Sequence, residues 1–171
     1  VGSEMCIRDR LYSIITLMAI AMLFPITAFA QAYVQTWDLV DSGKHLDYDG
    51  NSTYMSYINT GAATWNAYKS GVIRKDSAFV VEDVYVSDVN ASNGWAGMTY
   101  SSGKIELNTY YMSGYSNSKK QNVATHELGH ALGLDHSTST DVMDAAITGH
   151  TSTQALSQND KDSYDAAYNN Y

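Results

Sequence analysis

Cysteine and proline are almost missing from this sequence. Its 171 residues contain one cysteine, Cys6, and one proline, Pro25. A single thiol excludes a disulfide framework within the chain, and it also excludes a cysteine-ligated zinc site. Since Pro25 also lies near the start, the rest of the chain must take its turns from Gly, Asn, Asp and Ser.

Positive charge is scarce as well. Lys and Arg together number 10 against 18 Asp and Glu, which gives a net charge of −8. Nucleic-acid binding needs clustered basic residues, so this class of protein is not expected. A hydrophobic content of 44% is too high for a disordered chain and fits a globular one. The acidic balance gives a mild preference for neutral or cationic partners.

A basic and then apolar stretch opens the chain. Two arginines precede an apolar run over residues 11–30, which ends with Ala28 and Ala30 on either side of one residue. This order is typical of a secretory signal peptide that is cleaved after Ala30. The alternative is a retained membrane anchor, because the run nearly reaches the length that crosses a bilayer. The Ala-x-Ala site favours cleavage, so we predict a secreted protein with no stable membrane association afterwards.

The predicted mature part, residues 31–171, has the size of one compact domain. It contains no internal repeat, low-complexity tract or linker, and we predict a single domain that is a monomer. Residues 1–10 look like adaptor-derived sequence and are left out of the fold prediction.

Apolar spacing predicts a strand and then a helix at the start of the domain. Leu46 and Tyr48 alternate with polar residues, which predicts a short strand over Lys44–Tyr48. Aromatic and apolar residues at three- and four-residue steps then predict an amphipathic helix over about Ser52–Tyr68, with Ser52 as its N-cap. We interpret its aromatic stripe as core packing.

Several β-rich segments follow. The valine-rich segment Phe79–Val86 predicts one strand or two. Trp95–Tyr100 and Lys104–Asn108 predict a hairpin around a turn at Ser101–Gly103. A last helix is predicted with Ser157 as its N-cap. Strand, helix, strands and helix in this order indicate an α+β fold with a mixed β-sheet.

The segment Thr125–His136, THELGHALGLDH, contains three histidines at informative spacing. His126 and His130 are four residues apart, so on a helix their imidazoles share one face and can bind one Zn²⁺. Gly133 stands where a helix commonly ends in a left-handed residue, and such a reversal would bring His136 back as a third ligand. Three protein ligands leave the fourth position open, as in catalytic zinc sites.

Glu127 follows the first histidine and is placed to reach a water on the metal rather than the metal itself. This pattern predicts hydrolysis by a zinc-activated water, with Glu127 as the general base. The alternative is a surface helix with incidental histidines. Five fixed residues and the agreeing start and stop signals of the helix argue against it.

The stretch His126–Ser137 resembles the long zinc motif of the metzincin metalloproteases, and the His136-Ser137 pair is most similar to the matrixin branch. The resemblance implies a metzincin-like zincin fold, with a twisted mixed sheet, an active-site helix and a C-terminal helix. It implies a zinc endopeptidase with protein or peptide substrates, and a methionine turn beneath the metal, for which Met143 is suitably placed. Substrate would add a strand to the sheet edge, which we assign to Lys104, Ile105, Glu106, Leu107 and Asn108.

The sequence departs from this family after Met143. Asp144-Ala145-Ala146 stands where animal matrixins have the Pro-x-Tyr that walls their specificity pocket, and residue 145 is not the tyrosine ligand of the astacin and serralysin branches. We expect no cysteine-switch latency. The remaining histidines, His45 and His150, are too few for the structural zinc of animal matrixins, and His150 is predicted on a loop.

Calcium binding and the loss of catalysis are open alternatives. Asp88–Gly94 offers oxygen ligands at alternate positions, but its glycine comes one place late for an EF-hand and no Glu closes the loop. A polar turn is the preferred interpretation. The alternative function is a catalytically inactive zinc-binding extracellular or adhesion module, against which Glu127 speaks, because a structural site needs no carboxylate there. A third alternative is a hydrolase dedicated to one partner.

Overall fold

The computed structural model describes residues 31–77 and 81–171. The predicted signal peptide lies outside the described residues, and so do Phe79 and Val80 of the predicted valine-rich strand. Cleavage after Ala30 and the domain boundary there stay predictions. Among the described residues, no helix combines the length and the apolar character needed to cross a membrane.

One five-stranded mixed sheet organises the fold. Its strands are β1 (Leu46–Gly50), β2 (Ile73–Lys75), β3 (Val84–Val89), β4 (Gly97–Tyr100) and β5 (Lys104–Asn108). They lie in the order β2-β1-β3-β5-β4, and every neighbouring pair is parallel except β4 with β5. The predicted mixed sheet is confirmed.

Helices and a single 3₁₀ turn complete the described part of the chain. They are α1 (Met55–Asn66), α2 (Thr109–Met112), α3 (Asn117–Ala131), the 3₁₀ turn Ile147–Gly149 and α4 (Gln158–Tyr168). The expected α+β class is therefore confirmed, with α3 as the helix that carries the histidine motif. β2, α2 and the 3₁₀ turn have three or four residues each, which is too short for a periodic pattern to predict them.

α1 fixes α3 against the core. Ile58, Ala62 and Trp65 of α1 recur at four- and three-residue steps and are buried. The helices approach closely at Gly61, where a Cβ atom would lie 3.1 Å from the Cα of Thr125. The indole Nε1 of Trp65 donates a hydrogen bond of 2.9 Å to the Thr125 carbonyl. Tyr54 and Trp65 of the predicted aromatic stripe are thus buried, as expected, whereas Tyr68 at its end is exposed.

The strand that we assigned to the sheet edge is internal. Lys104–Asn108 forms β5, which pairs in parallel with β3 and antiparallel with β4. The prediction that these residues form the substrate-binding edge is therefore wrong. β4 is the outer strand, because the hairpin folds β4 onto the side of β5 that β3 leaves free. Both hairpin strands have similar alternation, so the sequence pattern does not reveal which of them pairs with β3.

Three other predictions shift in the structure. The first strand begins at Leu46, since Lys44 has a φ of 62° and belongs to a turn. α1 begins three residues after Ser52, whose Oγ instead accepts a hydrogen bond from the Tyr54 amide in the preceding turn. Val81 lies outside β3 and is 85% exposed, so the predicted strand begins later than expected.

The start of α4 is as predicted. Ser157 is its N-cap, and its Oγ accepts a hydrogen bond of 3.0 Å from the Asp160 amide. The Asp160 carboxylate in turn accepts one of 2.8 Å from the Ser157 amide, which completes a capping box. Tyr164 and Ala167 are buried, so this helix packs its apolar face on the core.

Candidate metal centre

The end of α3 turns the chain back toward the helix. Gly133 has a φ of +84°, a conformation that glycine adopts without strain. The Leu134 amide donates to the Gly129 carbonyl at 3.0 Å, and the Gly133 amide donates to the His130 carbonyl at 2.9 Å. These two bonds define a Schellman motif, which brings His136 alongside the last turn of α3.

His126, His130 and His136 converge. Each offers one ring nitrogen, and these three atoms lie within 4.8 Å of one another. Nε2 of His130 and Nε2 of His136 are 3.2 Å apart. Two nitrogens bound to one tetrahedral zinc ion at about 2.0–2.1 Å would be separated by about 3.3–3.4 Å. The donor set therefore fits a single zinc ion.

Backbone carbonyls set the orientation of the two helical imidazoles. Nδ1 of His126 donates to the Val142 carbonyl at 2.8 Å, and Nδ1 of His130 donates to the Leu134 carbonyl at 2.8 Å. Because the ring proton is then on Nδ1, the lone pair of each ring is on Nε2. This is the arrangement by which outer groups orient metal-binding histidines.

Burial keeps these two rings neutral. It lowers the pKa of His126 to about 3, with a further contribution from the neighbouring His130. Burial also lowers the pKa of His130 below its ordinary value. Since neutral imidazole is the form that binds a metal, both rings are ready to bind at neutral pH without losing a proton.

Asp160 holds the segment that passes beneath α3. Its carboxylate oxygens accept hydrogen bonds from the amides of Val142 at 2.9 Å and Met143 at 3.1 Å. Met143 is 1% exposed and packs against Gly129, where a Cβ atom would lie only 2.3 Å from the Met143 sulfur. The predicted methionine-turn residue thus lies directly against α3, and its neighbour Val142 supports His126.

Glu127 is buried between α3 and β4. Oγ1 of Thr99 lies 2.7 Å from the Glu127 Oε2 and 2.9 Å from the Glu127 carbonyl oxygen. A Cβ atom on Gly97 would lie 2.5 Å from Oε1, so a glycine is needed there. Burial raises the pKa of Glu127 to about 7, although the Thr99 hydrogen bond lowers it. The carboxyl group can therefore exchange a proton near neutral pH.

The three histidines and Glu127 line one cleft of about 430 Å³. β4 forms one side of it. The 3₁₀ turn contributes Ile147 and Thr148, and Ala145 lines the cleft just before that turn. Aromatic and larger apolar side chains also line the cleft, among them Trp95, Met98, Tyr111, Tyr115, Val123 and Ile147.

The other two histidines lie apart from this cluster. His150 directly follows the 3₁₀ turn, outside any helix or strand, and its Nε2 is 2.9 Å from the Asp144 carboxylate. His45 lies near Asp41, with 3.8 Å between its Nδ1 and the carboxylate. Neither ring reaches the three converging imidazoles.

The loop Asp88–Gly94, considered above for calcium, is organised by protein groups. The Asp88 carboxylate accepts hydrogen bonds from the Ser52 hydroxyl and from both the amide and the hydroxyl of Thr53. The Asn108 amide group binds the loop through the Ala91 backbone and other groups. Of the oxygens that were considered as ligands, those of Asp88 are engaged by these donors, and calcium binding stays a prediction.

Three residues at the site have no counterpart in the sequence prediction. Gly97 and Thr99 alternate along the predicted hairpin strand and therefore share a face, but nothing in the pattern relates that face to Glu127. The third, Gln35, places its side-chain amide 2.9 Å from Nδ1 of His130. Its segment has no motif that would have marked it.

Comparison with known proteins agrees with this geometry. Residues 27–169 match the sequence model of the matrixin family of peptidases. No protein with a curated description matches the sequence. Among solved structures, the fold is similar to archaemetzincin from Methanopyrus kandleri, with a TM-score of 0.54 and 12% identity over 76% of this chain and 99% of that chain. At this identity the likeness concerns the fold alone.

Proposed function

Because this chain belongs to the matrixin family and is thus a zinc metallopeptidase, we propose that it is an exported endopeptidase with Glu127 as its general base. The observation that carries the proposal is the convergence of three imidazole nitrogens beside one buried carboxyl group in a single cleft. The basic and apolar stretch that ends at Ala30 supports export.

His126, His130 and His136 would hold the metal. When bound, zinc supplies a Lewis acid that polarises the scissile carbonyl and lowers the pKa of the attacking water. The carbonyls of Val142 and Leu134 keep two of the rings in their binding orientation. The chain thus provides a prearranged set of three neutral nitrogen donors.

Glu127 would move the proton. Thr99 engages its Oε2, which leaves Oε1 to accept a proton from the attacking water. The same carboxyl group then gives the proton to the departing amine, and its raised pKa suits both steps near neutral pH. Because Glu127 is buried, its charge acts in a medium of low dielectric constant, where electrostatic interactions are stronger than in water.

β4 would bind the substrate backbone. It is the outer strand of the sheet on the side of the cleft, and its residues Gly97, Met98 and Thr99 line that cleft. An extended peptide can pair with such an edge through its main-chain groups, while the cleft selects its side chains. The aromatic residues that line the cleft, Trp95, Tyr111 and Tyr115, suit apolar side chains of the substrate.

A zinc-binding module without catalysis is not favoured. The family of this chain is one of peptidases. Moreover, burying the ionisable side chain of Glu127 costs folding free energy. A site that only held the metal would have no use for such a side chain.

Replacing the general base tests the proposal. Glu127→Gln keeps the shape of the side chain but cannot accept a proton, so turnover of a peptide library should fall by about 10²- to 10⁴-fold. The bound zinc, measured by elemental analysis, should be unchanged. Glu82→Gln is the matched control, since Glu82 is an exposed carboxylate, and it should keep the wild-type rate.

The endopeptidase activity, the general base and the zinc ligands can fail separately. A wild-type protein that holds zinc and cuts no peptide would contradict the endopeptidase assignment. Wild-type rates in Glu127→Gln would leave the peptidase in place and overturn only the general-base role. Peptide cleavage that persists after a chelator has removed all zinc would contradict the role of the three histidines.

A further inference from the structure

The segment 33–39 is attached to the end of α3. It runs across the helix terminus and the reversal that follows, and residues Val34 and Leu134 form an antiparallel bridge. Three backbone hydrogen bonds join the two segments: Gln35 N to Gly133 O (2.8 Å), Leu39 N to Ala131 O (2.9 Å) and Asp135 N to Tyr33 O (2.9 Å). The backbone on both sides of Gln35 is therefore fixed relative to the metal centre.

The side chain of Gln35 reaches the second metal ligand. Its Nε2 lies 2.9 Å from Nδ1 of His130, which also lies 2.8 Å from the Leu134 carbonyl. Oε1 of Gln35 is buried, and among the described residues it has no hydrogen-bond partner. A buried amide oxygen without a hydrogen-bond partner is unusual in a folded protein, and this one lies beside a metal ligand.

The position of the His130 ring proton accounts for this oxygen. A ring that binds a metal through Nε2 carries its proton on Nδ1, so the atom that faces Nδ1 must be an acceptor. A half-turn of the Gln35 amide exchanges its two ends and gives Oε1 the partner that it lacks. The Nδ1 proton would then lie between two acceptors, Oε1 and the Leu134 carbonyl.

We propose that Gln35 is a positioning residue for His130, and that segment 33–39 thereby sets the zinc affinity of the site. His130 is the ring that needs such support. It is partly exposed, whereas His126, which lines the same cleft, is only 4% exposed. Because outer hydrogen-bond partners of ligand histidines fix ring orientation and basicity, their loss typically weakens metal binding by about 10- to 100-fold.

This inference rests on the zinc site of the proposed function, and its test is a measured zinc affinity. In Gln35→Met the side chain keeps its length but has no amide, and zinc binding in competition with a chromogenic chelator should weaken by about 10-fold or more. Gln35→Glu retains an acceptor for the Nδ1 proton and should bind zinc at least as tightly as the wild type. Thr36→Ala, at the exposed neighbouring position, is the control and should leave the affinity unchanged.

The outcomes separate this inference from the function. A wild-type chain that binds no zinc would contradict the proposed function itself. Wild-type zinc binding together with an unchanged affinity in Gln35→Met would overturn only the role of Gln35. Equal weakening in Gln35→Met and Gln35→Glu would also overturn it, because it would show that the site needs the packing of glutamine and not an acceptor.

Discussion

At the scale of single residues, the orientation of the Glu127 carboxyl group depends on two residues of β4. Gly97 leaves room for its Oε1, and Thr99 donates to its Oε2. Both follow from the two-residue period of β4, which points alternate positions at α3. The buried carboxyl group therefore has one defined orientation, held from outside its own helix.

Thr99→Val tests that orientation. Valine has nearly the shape of threonine but no hydroxyl, so Glu127 loses a hydrogen bond of 2.7 Å. Because hydrogen bonds to charged groups contribute about 1.5–3 kcal/mol, kcat should fall by about 10- to 100-fold while KM and bound zinc change little. Thr99→Ser restores the hydroxyl and should recover most of the rate. A loss that appears in KM alone, or that serine does not rescue, would contradict the orienting role.

The residues of this site differ in how far the sequence could predict them. His126, Glu127, His130 and His136 lie within one short segment, so helix geometry and one glycine reversal are enough to bring them together. Thr99 is 28 residues from its partner, and Gln35 is 95 residues from its own. Their placement depends on tertiary packing, which no local pattern encodes.

At the scale of secondary-structure elements, α4 connects its own cap to the metal centre. Asp160 completes the capping box of α4 and also accepts from the amides of Val142 and Met143. Val142 in turn carries the carbonyl that orients His126. One fully buried carboxylate thus fixes a helix terminus and the turn beneath the metal.

Asp160→Asn should weaken both the N-terminal cap of α4 and the turn at Val142 and Met143. One carboxylate oxygen becomes an NH₂ group that faces amide donors, and such a loss costs about 1–3 kcal/mol of unfolding free energy. Urea unfolding of the metal-free protein measures this term, and chelator competition should show weaker zinc binding. Asp162→Asn, two residues further along α4 on a partly exposed position, should change the unfolding free energy by less than about 0.5 kcal/mol. Equal stability of the two variants would contradict the role given to Asp160.

The elements also show where sequence patterns stop. The hairpin of β4 and β5, with Gly103 at a φ of +85° in its turn, follows from alternation and turn residues. The pairing of β5 with β3 joins segments that are separate in sequence, and it decides which hairpin strand forms the edge. Because of this long-range pairing, the outer strand that is available to a substrate is Gly97–Tyr100 and not Lys104–Asn108.

At the scale of the whole molecule, stability depends on carboxylates that link distant segments. Asp141 is 1% exposed and joins the loop after the third histidine to α4 through Thr138 and Asn159. Burial alone raises the pKa of Asp141, but hydrogen bonds from Ser157, Thr138 and other donors lower that pKa to about 2. The folded protein therefore holds the charged form more strongly than the unfolded chain does.

Asp141 therefore makes the free energy of unfolding depend on pH. A carboxyl group with a pKa near 2 when folded and near 3.9 when unfolded adds about 2–3 kcal/mol of stability above pH 5, of which about half is gone at pH 3. Asp141→Asn should therefore be destabilised by about this amount at pH 6, and the difference from the wild type should narrow as the pH falls. Urea unfolding of the metal-free protein between pH 3 and pH 7 measures it, with Glu82→Gln as the control that should follow the wild type throughout. A difference for Asp141→Asn that stayed constant across this range would mean that the residue stabilises the fold by its shape and not by its charge.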